Sequence, residues 1–344
     1  MIEISPNRIL IIRRQALGDT LATLPAITQL KELFGNARID LIVDDSFAQF
    51  IDDSFAGVNI LPYPGSIRNW PQFIRNQHYD IVIDYLGFAR TAFWTFYSGA
   101  SIRVGYNVRF RKWAYNYRVD REQIDNRLLY QFAGESFIDL TRLFCNYAKP
   151  WIHETVSEVS SVKSDSYQSW ESTFFNESTQ YIGVSLSATG SSRAWHGENA
   201  GLLFELLAGK GLKALLIPGP SDGEIVKSVL GHNCNVVVAP DTSLVELKSL
   251  LSKIDLLVST DNGTRHVAML VDKPTLTLFG PTDSGGWNRK HFKNGIVKNP
   301  VSCSPCNLWE CNVDGHPCMA ELTANQVFDI VQEMLKTFEA RGSV

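Results

Sequence analysis

Residues 8–33 read RILIIRRQALGDTLATLPAITQLKEL. The run Arg8-Ile-Leu-Ile-Ile12 has the short, apolar, β-branched character of a strand buried on both faces. Gly18-Asp19 then marks a turn, and Leu21, Leu24, Ile27, Leu30 and Leu33 recur at helical spacing. Strand, turn and helix in this order open a parallel α/β sheet. The alternation continues. Arg38-Ile-Asp-Leu-Ile-Val43 reads as a strand, the segment around Phe73 as a helix, and Asp80-Ile-Val-Ile-Asp84 as a further strand. From Trp151 to Gln180 the chain turns polar and loses strand character, apart from a short helix over Tyr167 to Phe174.

The alternation then restarts. Strands are expected over 181–185, 214–218, 235–238, 256–259 and 275–279, and helices over 199–208, 244–251, 264–270 and 324–338. The reading is α/β: an N-terminal domain over 1–155, a linker over 156–179, a C-terminal domain over 180–322, and a last helix within 323–344. Two successive sheets of this kind predict two Rossmann-like domains facing across a cleft. Ligands in such sheets bind outside the carboxyl ends of the strands. There is no Gly-x-Gly-x-x-Gly, so a dinucleotide fingerprint is not supported.

The bulk numbers narrow the partners. The 344 residues are 44% hydrophobic and 20% charged, with a net charge of −4, which is globular composition. An acidic balance argues against nucleic acid as the main partner. The stretch from Arg103 to Arg127 runs the other way, with seven basic residues against Asp120, Glu122 and Asp125. Such a surface either suits an anionic ligand or is simply solvated. Ile9 to Ile12 is too short for a signal peptide and is followed at once by Arg13-Arg14. No apolar stretch approaches the roughly 20 residues needed to span a bilayer. A cytoplasmic location is expected, with any membrane contact peripheral.

Five stretches carry chemistry. Gly18 allows close backbone approach to a ligand, and Asp19 sits where strand hands over to helix. Its carboxylate can take a proton from an acceptor hydroxyl. On spacing alone, a helix cap is the simpler reading. The loop Ser185-Leu-Ser187-Ala-Thr189-Gly190-Ser-Ser-Arg193-Ala-Trp195 offers hydroxyls, a glycine and an arginine to phosphate oxygens, or is an ordinary serine-rich loop. Asp261-Asn262-Gly263-Thr264-Arg265-His266 is a strand–turn–helix junction, an anion-binding geometry suited to a diphosphate. There Asp261 orders the turn or contacts a sugar, and His266 bonds phosphate or packs. Phe279-Gly280-Pro281-Thr282-Asp283 is a further strand-end loop. Cys303, Cys306, Cys311 and Cys318 suit a structural tetrahedral site for zinc or iron, with His316 able to replace one thiolate. Alternatively, they are reduced thiols lining a packed loop.

Taken together, these residues resemble glycosyltransferase family 9, the heptosyltransferases of lipopolysaccharide synthesis. The resemblance rests on Ala16-Leu-Gly-Asp-Thr-Leu21 with Leu24-Pro25-Ala26-Ile27, and on Asp261-Asn-Gly-Thr264 with His266 and Ala268. It rests further on Lys273-Pro274-Thr275, Leu278-Phe-Gly-Pro-Thr282 and the cysteine cluster ending in Cys318-Met319. It implies the two-domain GT-B glycosyltransferase fold. It also implies ADP-L-glycero-D-manno-heptose as donor, an inner-core lipopolysaccharide sugar as acceptor, and an inverting transfer with no catalytic metal. Asp19 falls on the family's general base. Thr189 and Arg193 fall on donor-phosphate contacts, with Arg193 where many members have lysine. Glu224 falls near the carboxylate that binds the donor ribose, and Ser187 lies on the same donor loop. Asp261, Asn262, Gly263, Thr264 and His266 fall on the turn that grips diphosphate and heptose. His196 stands where a proline is usual.

The implied reaction is a single displacement, with Asp19 as base and Arg193 and the N–H groups of Gly263 to Arg265 stabilising the departing ADP. The basic stretch of the first domain suits an anionic acceptor. The nearby segment Phe88, Phe93, Trp94, Phe96 and Tyr97 is core, or in part touches lipid at the inner membrane. Alternatives within the class are another nucleotide sugar or a protein acceptor. Outside it stand a sugar-nucleotide epimerase and a non-catalytic binding protein.

Overall fold

The computed structural model describes residues 2–55, 57–63, 69–120, 133–145, 163–176, 179–188, 190–232, 236–288 and 291–340. Thr189 therefore lies outside the described residues, as do Arg121, Arg127 and the start of the expected linker. The chain divides into two compact units, Met1–Glu154 and Thr155–Val344.

In the first unit the order is β1 (Arg8–Ile12), α1 (Leu17–Leu33), β2 (Arg38–Asp44), α2 (Asp45–Ser54), β3 (Asn59–Tyr63), α3 (Trp70–Asn76), β4 (Ile81–Asp84) and α4 (Ala89–Tyr97). Then come β5 (Ile102–Tyr106), a 3₁₀ turn (Lys112–Ala114), β6 (Tyr117–Val119) and α5 (Ala133–Thr141). The sheet runs β3-β2-β1-β4-β5-β6, all parallel. Ile9 to Ile12 are wholly buried, as a central strand covered on both faces requires. Helix α1 was expected to bury one stripe. Instead its first half is buried nearly all round, including Thr20, Ala22, Thr23 and Pro25, and α5 packs against it. Of its apolar residues, Leu33 at the far end is exposed.

The second unit contains α6 (Asp165–Phe174), β7 (Tyr181–Ser185), a 3₁₀ turn (Ser191–Arg193), α7 (Gly197–Ala208), β8 (Lys213–Leu216), α8 (Gly223–His232) and β9 (Val237–Val238). It continues with α9 (Leu244–Lys253), β10 (Leu256–Thr260), α10 (Gly263–Leu270), β11 (Thr275–Leu278), α11 (Ser284–Trp287), β12 (Asn294–Val297), α12 (Pro317–Ala320) and α13 (Ala324–Ala340). Its sheet runs β12-β11-β10-β7-β8-β9, again all parallel. Val327, Phe328, Val331 and Leu335 of α13 join Val184, Leu203, Val258 and Leu276 in one core. Each such side chain contributes about 1.5–3 kcal/mol on burial.

Both sheets share one strand order, 3-2-1-4-5-6 in sequence terms, so the expected pair of Rossmann-like domains is borne out. Each has a switch point where successive crossovers leave in opposite directions, between β1 and β4 and between β7 and β10. Four strands escaped the sequence reading: β3, β5, β6 and β12. They lie toward the sheet edges, and Pro62, Gly105 and Gly295 interrupt their apolar patterns. No helix among the described residues is long and apolar enough to cross a membrane.

Candidate active site

In the first unit, Asp19 stands beyond the carboxyl end of β1. The cap position of α1 is Ala16, which makes no side-chain cap, and Asp19 lies three residues further on. Its carboxylate faces the Arg13 guanidinium, with Nη2 at 2.7 Å from Oδ1. Arg13 is almost wholly buried, whereas the Asp19 side chain stays 28% exposed. Arg13 also donates to the Tyr85 carbonyl at 3.2 Å and lies over the Phe137 ring. The result is a carboxylate fixed in direction by a buried cation and still open to solvent. Gly18, beside it, is half-buried in the same turn.

A second carboxylate, Asp84, ends β4 directly opposite Ile12. It is fully buried, and it accepts hydrogen bonds from Leu86 N at 2.9 Å, Gly87 N at 3.1 Å and the Tyr115 hydroxyl at 2.7 Å. Burial raises its pKa, and the hydrogen bonds oppose that rise. Its bonds shape the loop that leads into α4.

In the second unit, Asn262 caps α10. Its Oδ1 accepts from Thr264 N at 2.9 Å, and its Nδ2 donates to the Ser187 carbonyl at 3.1 Å and to Thr260 Oγ1 at 3.2 Å. One side chain thus joins the turn after β10 to the loop after β7, across the switch point. The N–H groups of Gly263 and Arg265 lie in the first turn of α10, where no helical acceptor exists. His266 follows on that turn and is buried.

Arg265 itself was missed as a side chain by the sequence reading. It is wholly buried, with Nε 3.2 Å from Asp261 Oδ1 but not aligned as a hydrogen bond. It donates to Asn288 Oδ1 at 3.2 Å and to the Trp287 carbonyl, and lies over Phe279. Burial lowers its pKa while Asp261 acts to raise it. Asp261 is therefore held in place from within the helix. The i,i+4 spacing of Asp261 and Arg265 was the available signal.

Arg193 ends the 3₁₀ turn, with Nε donating to Thr282 Oγ1 at 3.0 Å and the guanidinium over the Trp309 ring. It thereby ties the serine-rich loop to the Thr282–Asp283 loop. A cavity of about 360 Å³ opens beside that loop, with Thr282, Asp283, Lys298 and Ser304 in its wall. Ser187 Oγ is taken by Asp222, another buried carboxylate not singled out from sequence, which also accepts from Gly219 N at 2.7 Å. Glu224 lies outside this network. Its side chain is exposed on the first turn of α8 and pairs with Lys227 at 2.8 Å.

The cysteine loop does something the sequence did not suggest. Ser192 N donates to the Trp309 carbonyl at 3.1 Å, and Ser192 Oγ to the Leu308 carbonyl at 2.5 Å. Asn307 N donates to the Pro281 carbonyl at 2.8 Å, and Ser304 Oγ to the Gly280 carbonyl at 2.6 Å. Gly190 has φ 96°, and a Cβ there would meet the Trp309 carbonyl oxygen at 2.7 Å. The loop therefore braces both strand-end loops of the candidate site.

Among the described residues, no three His, Cys, Asp or Glu side chains are grouped to hold a metal ion. Cys306 is exposed, Cys303 and Cys311 are half-buried and Cys318 is buried, its thiol pushed up to about 11 by burial and then by the other three thiols. His316 is turned elsewhere, with Nε2 2.7 Å from the Ser192 carbonyl oxygen. This arrangement does not fit the expected tetrahedral site.

Known proteins share this architecture. Lipopolysaccharide heptosyltransferase 1 of Escherichia coli O18:K1:H7 is 25% identical over 353 residues, covering 95% of this chain and 97% of that one. The structure of E. coli ADP-heptose lps heptosyltransferase II superposes with a TM-score of 0.76 at 18% identity, covering 96% of this chain and 99% of the other. E. coli heptosyltransferase WaaC, solved with ADP-2-deoxy-2-fluoro heptose, gives 0.68 at 23% identity, covering 95% and 99%. The fold is thus that of the GT-B heptosyltransferases. The family profile described as glycosyltransferase family 9 (heptosyltransferase) matches residues 67–316, and on that match this chain is a glycosyltransferase belonging to family 9.

Proposed function

We propose that this enzyme transfers a heptose from ADP-L-glycero-D-manno-heptose to an inner-core sugar of a lipopolysaccharide precursor, by a single inverting displacement. The observation that carries the reading is the β7–β10 switch point. There Asn262 holds an open helix N-terminus against the Ser187 loop, with Arg193 anchored on the neighbouring loop. Such an arrangement suits the diphosphate of a nucleotide sugar. In this reading Ser187, Thr189, Arg193, Gly263 and Thr264 hold the diphosphate, with Asn262 setting the turn. Asp261 and His266 face the heptose, and Glu224 takes the ribose hydroxyls.

Asp19 is the base. It accepts the proton of the acceptor hydroxyl as that oxygen bonds to the anomeric carbon. The bond from the anomeric carbon to the β-phosphate oxygen breaks, and ADP leaves with the electron pair. Arg13 orients the carboxylate, and Gly18 lets the acceptor approach the backbone. Arg193 and the α10 N-terminus stabilise charge on the leaving ADP. The names of the relatives support the donor and acceptor, and the exposed, clamped Asp19 supports the base.

Mass spectrometry of protein mixed with ADP-heptose and a delipidated inner-core acceptor tests the reading, with Asp19→Ala in parallel. Wild type should add one heptose, and the variant should be slower by about 10²–10⁴-fold while keeping donor affinity. Donor binding without transfer would redirect the search to other acceptors, including proteins. Neither binding nor transfer would sink the heptose assignment. A structural zinc or iron would require Cys303, Cys306, Cys311 and Cys318 to close up from their present arrangement. Elemental analysis of the purified protein decides this, and a metal-free result leaves the loop as a brace.

A further inference from the structure

Arg193 is held by a segment to which the transfer reading gives no role. Between Cys306 and Cys311 the sequence runs Asn307-Leu308-Trp309-Glu310. Tryptophan is highly buried on average, yet Trp309 is 63% exposed. Burial therefore does not account for its placement. Its neighbour does. The Arg193 guanidinium lies over the indole, 5.8 Å from the ring centre, within reach of a cation–π contact.

The backbone points the same way. Ser192, the residue before Arg193, is buried, and residues 308–316 engage all three of its polar groups. Its N–H donates to the Trp309 carbonyl at 3.1 Å, and its hydroxyl to the Leu308 carbonyl at 2.5 Å. Its carbonyl oxygen lies 2.7 Å from His316 Nε2. On the other side of the turn, a Cβ at Gly190 would meet the Trp309 carbonyl oxygen at 2.7 Å and the ring carbon Cε3 at 3.0 Å. The two segments approach this closely because position 190 is glycine. The main chain thus fixes where the Arg193 side chain starts. The bond from Nε to Thr282 Oγ1, at 3.0 Å, fixes where it ends. The indole sets the tilt of the guanidinium plane about that bond. A long arginine side chain gives up rotamer freedom when it grips a ligand, and one already ordered gives up less at that step.

We infer that Trp309 is a positioning residue for the transfer, its indole face presetting the guanidinium of Arg193 for the diphosphate of the donor. The inference rests on the reading of Arg193 as a diphosphate contact. It assigns to the cysteine loop a task beyond bracing, which is to order the cation that meets the leaving group. The role requires a flat π face, on which a guanidinium stacks, and not apolar bulk alone.

The test is calorimetric titration of the full chain with ADP, in wild type and in variants at positions 193 and 309. Trp309→Ala should weaken ADP binding by about 3- to 30-fold, the worth of a cation–π contact. Trp309→Phe keeps a ring face and should recover most of the loss. Trp309→Leu is apolar without that face and should not. Added to Arg193→Ala, Trp309→Ala should cost less than about twofold, because the group it held is gone. The side chain is exposed and the bonds to Ser192 use the carbonyls of Leu308 and Trp309, so thermal unfolding of the variants should match wild type. Equal affinities of the phenylalanine and leucine variants would reduce the indole to packing. An equal loss with and without Arg193 would make it a nucleotide contact in its own right. Either result overturns the inference, as does unchanged affinity in Trp309→Ala, and all three leave Arg193 in the donor site. Unchanged affinity in Arg193→Ala would instead remove the diphosphate reading, and the inference with it.

Discussion

The placement of Asp19 and Arg193 on strand-end loops was legible because each sits in a short local motif. Arg13, Asp222 and Arg265 were not, because their partners come from other elements or are chosen by burial. Arg13 reaches Asp19, Tyr85 and Phe137 only once β1, β4 and α5 are assembled. Gly105 is similar. It looked like a break in a strand, yet a Cβ there would meet the Tyr115 ring at 2.5 Å, and Tyr115 must cross that point to reach Asp84. Glu224 was singled out by position as a ribose carboxylate, and the structure places its side chain exposed on the first turn of α8, paired with Lys227. Arg193 carries the sharpest prediction at this scale. Replacing it with alanine should raise the donor KM by about 10- to 100-fold, the worth of a charge-assisted hydrogen bond to phosphate. Arg193→Lys should restore only part, because lysine offers a point charge in place of the planar fork. Steady-state kinetics with varied donor measures both. An unchanged KM in the alanine variant would remove Arg193 from the donor site.

At the scale of elements, the helices of the second unit are joined by carboxylates. Ser164 caps α6 and Ser243 caps α9, and Glu246 accepts from the N–H and the hydroxyl of both, at 2.6–2.9 Å. Burial acts to raise the Glu246 pKa, but these four hydrogen bonds outweigh it and hold it at about 2. Glu171 adds a second clasp, accepting from Ser249 at 2.7 Å and pairing with Lys163 at 3.0 Å. A depressed carboxylate contributes stability above its unfolded pKa and loses it as pH falls through the folded value. The window here runs from pH 4.5 down to about 2. Glu246→Gln should cost about 2 kcal/mol at neutral pH, since a charged acceptor is lost from four part-buried hydrogen bonds. It should also flatten the fall in stability across that window. Urea unfolding as a function of pH, with hydrogen exchange on α6, would show it. A wild-type curve already flat between pH 4.5 and 2 would refute it. From sequence a helix was expected over 244–251, and Ser243-x-x-Glu246 at its start was not singled out. That the same carboxylate also receives α6, 82 residues earlier, is a property of packing.

For the whole molecule, the two successive parallel sheets were legible from the central strands, which are continuous apolar runs. The edge strands were not, because their identity depends on which neighbour they lie against. Every loop proposed to hold the donor lies in the second unit, which has its own sheet and core. Residues 156–344 expressed alone should therefore fold, bind ADP within about tenfold of the full chain, and transfer nothing. Calorimetry with ADP is the measurement, and loss of binding in a folded fragment would place donor contacts in the first unit. The brace between Ser192 and Trp309 has a further consequence, for recombination. Residues 186–195 and 303–318 lie more than a hundred positions apart, yet each supplies the backbone partners of the other. They form one unit of inheritance. A chimera that takes its serine-rich loop from one parent and its cysteine loop from another would break that unit, even where every aligned residue looks interchangeable.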